Sequence, residues 1–172
     1  EMFAPGKSRQ LEAGVKYDSG RFVTTLSVFQ IERPSGYLDP ATGRFGMDGR
    51  QRNRGVELFT QGEAARSVRL LGGAAYTDGT LVKTQGGAND GRTAPATPRL
   101  QLNAAAEWDT AFLQGLTLTA RGLRTSAQYV DVANTQKLPA WTRLDLGARY
   151  KFTSGKVPVT LRATVENVLG RD

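Results

Sequence analysis

The stretch Leu100-Gln101-Leu102-Asn103-Ala104-Ala105-Ala106-Glu107-Trp108-Asp109 decides how the chain is read. Its even-numbered residues are Leu, Leu, Ala, Ala and Trp. Its odd-numbered residues are Gln, Asn, Ala, Glu and Asp. Strand side chains point to opposite faces in turn, so this period of two makes one apolar face and one polar face. The single large ring stands at the end of the run, beside the short connection 110–115.

The same period extends outward in both directions. Leu11, Ala13, Val15 and Tyr17 alternate with Glu12, Gly14, Lys16 and Asp18, and Phe22, Thr24, Leu26 and Val28 resume it after Asp18-Ser19-Gly20. Leu116, Leu118 and Ala120 follow, then Leu144 to Phe152 and Val159 to Val165. The expectation is an all-β, antiparallel up-and-down meander of about eight strands, roughly 8–18, 21–33, 50–62, 67–78, 98–109, 116–130, 140–152 and 157–168. The connections near 19–20, 63–66, 110–115 and 153–156 are short. Those at 34–49, 79–97 and 131–139 are long and rich in Gly, Pro, Asp, Asn and Thr. Short and long connections alternate, so one end of the meander is trimmed and the other carries the elaboration, as in bacterial outer-membrane barrels.

The chemistry available is narrow. The 172 residues contain no His and no Cys. That excludes thiol nucleophiles, Cys-ligated metals and any Ser–His–Asp triad within them, so no enzyme is expected, and no cofactor or metal site. The longest largely apolar run, Leu70 to Tyr76, is far short of the roughly 20 residues of a membrane helix. The net charge is +7, with 23 Lys and Arg against 16 Asp and Glu. A basic sheet that bound nucleic acid would interleave aromatics with its arginines on one exposed face. Here the rings lie on the opposite, apolar face, so nucleic acid is not an expected partner. The opening Glu1-Met2-Phe3-Ala4-Pro5 has neither the basic nor the apolar region of a signal peptide.

A soluble sandwich also has strands with one apolar face, so alternation alone leaves the choice open. Strands of about 11–15 residues exceed the soluble mode of about 5–6 and suit a tilted membrane crossing. Tyr17, Phe22, Trp108, Tyr150 and Phe152 sit on the apolar face by the short turns, with Ala, Val and Leu at its middle. This is a headgroup girdle, not a core. Leu102 and Leu146 then lie mid-strand on the lipid face, while Asn103 and Gly147 face the lumen and should tolerate Arg better.

Several stretches resemble the C-terminal part of the TonB-dependent outer-membrane receptors, in particular those for ferric siderophores. They are Pro5 to Tyr17, Phe29-Gln30-Ile31, Arg54-Gly55-Val56-Glu57-Leu58, Ala75-Tyr76-Thr77-Asp78 with Pro98-Arg99, Leu138-Pro139-Ala140-Trp141-Thr142-Arg143 and Val165-Glu166-Asn167-Val168-Leu169. The resemblance implies a 22-stranded barrel filled by an N-terminal plug. It also implies uptake of a ferric siderophore driven through TonB, and a place in the bacterial outer membrane. Neither the plug, the TonB-contacting box nor the closing strand is found, so residues 1–172 are read as a partial receptor barrel. The alternative is a self-contained small outer-membrane barrel acting as adhesin, scaffold or pore.

Ferric siderophores are often anionic or carry aromatic chelating groups, which rings and guanidinium groups contact well. The ligand candidates are therefore Tyr37, Arg44 and Phe45 in the first long loop, with Tyr129 and Trp141 near the mouth. Arg50, Arg52 and Arg54 share parity with Val56 and Leu58, and are expected to face lipopolysaccharide unless a bulge at Gly55 turns them inward. Glu57, Arg121, Arg143, Asp145 and Arg149 should face the lumen, paired with one another or touching the plug. Gly86 to Gly91 holds one acid, Asp90, too few for a metal loop.

Overall fold

The computed structural model describes residues 6–38 and 43–170. Its strands are β1 (Arg9–Asp18), β2 (Phe22–Leu38), β3 (Phe45–Ala65), β4 (Val68–Lys83), β5 (Leu100–Asp109), β6 (Leu116–Thr125), β7 (Gln128–Tyr129), β8 (Lys137–Leu138), β9 (Trp141–Ser154) and β10 (Val157–Val165). Eight of them form one sheet in the order β1-β2-β3-β4-β5-β6-β9-β10, with each pair antiparallel. β7 and β8 form a separate two-stranded piece. The expected meander is therefore present.

Three expectations are corrected. Segment 34–49 is mostly not loop: β2 and β3 run on as a paired ribbon, with Tyr37 opposite Gly46 and Leu38 opposite Phe45. The sixth strand stops at Thr125 and not at 130, because Gln128 and Tyr129 leave the sheet to pair with Leu138 and Lys137. Gly55 carries no bulge; it keeps register between Phe29 and Thr77. The β3–β4 pair shifts register between Arg50 and Gln51 and again between Glu63 and Ala65. A side chain at Gly55 would run into the Tyr76 carbonyl and the Phe29 ring, so a glycine is required by close approach.

The tight turns are built from local polar groups. Asp18 Oδ1 accepts the Gly20 amide at 2.7 Å and Ser19 Oγ accepts the Phe22 amide at 3.0 Å, while Gly20 takes φ +80°. That conformation is open to glycine at little cost.

The register settles the two faces. One ladder row runs Leu26–Leu58–Ala74–Leu102–Arg124, and another runs Phe22–Gly62–Leu70–Ala106–Ala120–Leu146–Val165. Glu57, Gln101, Asn103, Arg121, Asp145 and Arg149 occupy the rows of the opposite face. Among the described residues nothing packs on the apolar side: Leu26 and Leu58 are each 43% exposed and Leu146 45%. A soluble sheet would bury that face against a second layer. Among the described residues the buried hydrophobics are Leu81 and Ala94, both at the long-loop end and not in the apolar face. The sheet ends at β1 and β10, which do not pair with each other among the described residues. A closed eight-stranded barrel would require that pairing.

Candidate functional site

The edges of the apolar face define a membrane belt, and the belt is inclined. At the short-turn edge the rings are Tyr17 on β1, Trp108 on β5, and Tyr150 and Phe152 on β9, the last two stacked at 5.5 Å. Following the pairing from Tyr17 across to β9 reaches Leu144, so Phe152 lies four ladder rows below the Tyr17 level. Rows are about 6.8 Å apart along a strand and strands about 4.8 Å apart, so the girdle crosses the strands at about 40°. The long-loop edge gives the same slope. Arg54 on β3 and Arg124 on β6 mark it, with Arg124 two rows lower and three strands away. Two independent edges thus yield the tilt of about 35–45° that barrel strands adopt in a membrane. The apolar span along β3 or β6 is about eight residues, which at this tilt is a belt about 20 Å high.

The tilt moves one sequence assignment. Leu146 lies at mid-belt, but Leu102 shares its ladder row with Arg124 and sits toward the long-loop edge.

The polar face carries an ion-pair network near the short turns. Arg69 bonds Glu107 at 3.0 Å and Asp109 at 2.7 Å, and Asp109 also accepts the Thr117 hydroxyl at 2.6 Å. Arg149 reaches the same Glu107 at 3.3 Å. A second group joins Arg143 to Asp145 at 2.7 Å and to Glu166 at 2.8 Å, and Asp145 Oδ1 accepts the Asn167 amide at 2.9 Å. Arg143, Asp145 and Arg149 are therefore committed to the wall. Glu57 and Arg121 form no ion pair among the described residues. Arg69, Glu107 and Asp109 were not singled out from sequence, although their shared parity was readable.

Beyond the belt on the long-loop side stands the candidate ligand surface. Tyr37 and Phe45 lie on the extended β2–β3 ribbon, and Arg44 adjoins it. Tyr37 bonds the Asp48 carboxyl, and Lys83 of β4 pairs with it at 3.0 Å; both hold Asp48 below its ordinary carboxylate value. Tyr129 sits in the β7–β8 piece, with the Lys137 ammonium 5.5 Å from its ring centre. Trp141 opens β9 opposite Thr125, sharing parity with Arg143 and Asp145 of the polar face. These residues form no single cluster: β4, β5 and β6 separate Tyr37 and Phe45 from Trp141 in the sheet. Arg50, Arg52 and Arg54 lie on rows of the apolar face, as parity requires.

The loops after β4 and after β6 are joined. Asn134 Oδ1 accepts the Thr93 amide at 2.9 Å, and Asn134 Nδ2 donates to the Thr93 carbonyl at 2.8 Å. Arg92 reaches the Ala133 carbonyl, and the Ala96 amide donates to the Tyr129 carbonyl at 2.9 Å. Segment 91–94 folds back on β4 through Gly91, Arg92 and Ala94, enclosing Leu81 and Ala94. Asp131 organises its own loop by accepting the Gln136 and Thr135 amides and the Thr135 hydroxyl, which lower its carboxyl to about 2. Asp90 closes the other loop on the Thr84 amide at 2.7 Å, a structural task for the one acid of that glycine segment. Among the described residues no three acids gather as a metal site.

Known proteins resemble this chain in sequence and fold. Ferrichrome receptor FcuA of Yersinia enterocolitica is 45% identical over 161 residues, 94% of this chain and 21% of the receptor. The ferrichrome outer membrane transporter/phage receptor of Escherichia coli K12 is 31% identical over 179 residues, 99% of this chain and 24% of its own length. The crystal structure of BauA, the ferric preacinetobactin receptor of Acinetobacter baumannii, superposes with a TM-score of 0.87 at 45% identity. That overlap covers 99% of this chain and 26% of BauA, so the chain spans about a quarter of the length of its relatives. The description TonB dependent receptor-like, beta-barrel fits residues 2–168 and leaves almost nothing outside the match; the chain belongs to that family of outer-membrane β-barrels of Gram-negative bacteria.

Proposed function

We propose that the chain supplies barrel wall and extracellular loops to a receptor that takes a ferric siderophore across the outer membrane. The observation that carries this is the 45% identity over 161 residues to a ferrichrome receptor. The inclined apolar belt supports it, since it seats the wall in a bilayer with the joined loops outside. The remaining parts of the mechanism, a plug in the lumen and energy delivered through TonB, belong to the rest of the receptor.

In this reading the polar face does two things. The Arg69–Glu107–Asp109–Arg149 network holds neighbouring strands at a fixed lumen shape, and Glu57 and Arg121 remain available to a plug. Tyr37, Arg44 and Phe45 act as one contact set on the β2–β3 ribbon, while Tyr129 and Trp141 act as another at the mouth. Rings stack on the chelating groups and the guanidinium meets their charge.

BauA, equally identical at 45%, is a receptor for ferric preacinetobactin, so the two relatives support ferric siderophores as the substrate class without distinguishing among them. The test is growth of an iron-limited receptor-null strain expressing the whole gene, fed ferric ferrichrome or ferric preacinetobactin, with and without TonB. TonB-dependent growth on either supports the reading. Growth on neither of these nor on ferrioxamine B, citrate or catecholate complexes, or growth unaffected by loss of TonB, refutes it.

A further inference from the structure

Four arginines collect on the apolar face just beyond its long-loop edge. Arg9 faces Glu32 across the ladder, and Glu32 faces Arg52. Arg54 lies between Gln30 and Asp78, and Arg50 lies opposite Pro34. Glu32 and Asp78 are thus within ladder reach, yet among the described residues none of the four arginines forms an ion pair. The Nε of Arg52 is enclosed and has no hydrogen-bond partner. That donor is closed to solvent, so a phosphate meets the two terminal guanidinium nitrogens, which have no hydrogen-bond partner among the described residues.

The depth of these groups follows from the tilt. Arg54 marks the edge of the belt, Arg52 stands one row above it and Arg50 two. Arg9 on β1 shares the ladder row of Arg52. Their backbone positions are about 7 Å apart along β3 and about 10 Å apart from β3 to β1. They face away from the lumen, so a siderophore travelling through the barrel does not pass them.

We propose that Arg9, Arg50, Arg52 and Arg54 form a binding site for the phosphates of lipid A on the lipid side of the wall. A guanidinium binds a phosphate through two parallel N–H donors, and four such groups against two carboxylates leave the row positive. A headgroup bearing two phosphates can engage arginines on separate strands at once, which a single-phosphate phospholipid cannot. The inference rests on the lipid-facing reading of the belt, which is tested separately by the accessibility of spin labels at positions 100–109 to oxygen and to a water-soluble nickel chelate.

The experiment uses the full-length receptor in detergent, compared with an Arg50→Gln, Arg52→Gln, Arg54→Gln variant. Native mass spectrometry follows binding of bisphosphoryl lipid A, with monophosphoryl lipid A, phosphatidylglycerol and inorganic phosphate as comparisons. The variant is expected to bind bisphosphoryl lipid A at least about tenfold more weakly. Its heat-modifiability and its ferric ferrichrome or ferric preacinetobactin affinity should not change. If the triple variant fails to fold, Arg52→Gln alone is measured, with a loss of about threefold or more expected. Unchanged lipid A binding overturns the proposal. So does a loss of siderophore affinity with lipid A binding intact, or equally tight binding of phosphatidylglycerol.

Discussion

Leu58 and Leu102 occupy one ladder row, joined through Ala74, and are similarly exposed at 43% and 39%. On an untilted sheet they would lie at one depth, and Arg would be equally harmful at both. With the strands inclined about 40°, two strand spacings move Leu102 about 6 Å toward the outer headgroups, leaving Leu58 at the middle of the belt. Arg at the bilayer midplane costs about 2–4 kcal/mol and near the interface about 0–1 kcal/mol. Leu102→Arg also faces Arg124 directly, which adds about 0.5 kcal/mol of like-charge repulsion. Leu58→Arg should therefore destabilise the barrel by about 2 kcal/mol more than Leu102→Arg, roughly thirtyfold in the folding equilibrium. Asn103→Arg, on the polar face, should change it by about 0.5 kcal/mol or less. The assay is urea-dependent folding of the full-length receptor into vesicles, read by heat-modifiability on gels. Equal penalties at Leu58 and Leu102 would refute the tilt, and an equal penalty at Asn103 would refute the face assignment.

Other outcomes follow from the same geometry. An epitope inserted at Gly87, between β4 and β5, should label on intact cells, and one at Gly155, in the turn before β10, only after the outer membrane is permeabilised. Asn134→Ala removes both bonds to Thr93, so hydrogen exchange of the Thr93 amide should rise about tenfold, with barrel melting unchanged. Asp131 has its carboxyl lowered from 3.8 to about 2 by the amides it accepts. Its contribution is then full above pH 4 and lost as pH falls toward 2, and Asp131→Asn should abolish that step in loop exchange rates. Gly147→Arg should be harmful despite its lumen parity, since a Cβ there meets Thr119 Oγ1 at 2.7 Å and the Ala163 carbonyl at 3.1 Å. A melting shift matching about 1–3 kcal/mol checks it.

The period-two pattern carried the strands because a single-layer sheet leaves each face in one solvent, and each side chain reports that solvent directly. Pattern reading failed where a different interaction took over. Pro34, Gly36, Gly46 and Gly49 read as loop, yet backbone pairing alone continues β2 and β3 past the belt. Tyr129 read as strand, yet its pairing with Lys137 draws it out of the sheet. The Thr93–Asn134 junction joins residues 41 positions apart and leaves no periodic trace. The lumen pairs Arg143–Asp145 and Arg149–Glu107 were partly legible from parity, but partner choice depends on register, which sequence alone did not supply. Leu102 was placed at mid-strand because counting along one strand ignores tilt. The ligand candidates had composition and the long-loop side in common, and the fold divides them between the β2–β3 ribbon and the start of β9, with β4, β5 and β6 between.

The inclined belt requires one face of this wall to touch lipid and the other an aqueous lumen. The residues contain no cysteine, so single cysteines can be placed at each position from 100 to 109 of the full-length receptor, spin-labelled and reconstituted in vesicles. Oxygen, which concentrates in lipid, should relax the labels at 100, 102, 104, 106 and 108, most strongly at 104 and 106. A water-soluble nickel chelate should act on 101, 103, 105, 107 and 109. Accessibility to the two reagents without a period of two, or with the faces exchanged, would contradict the account.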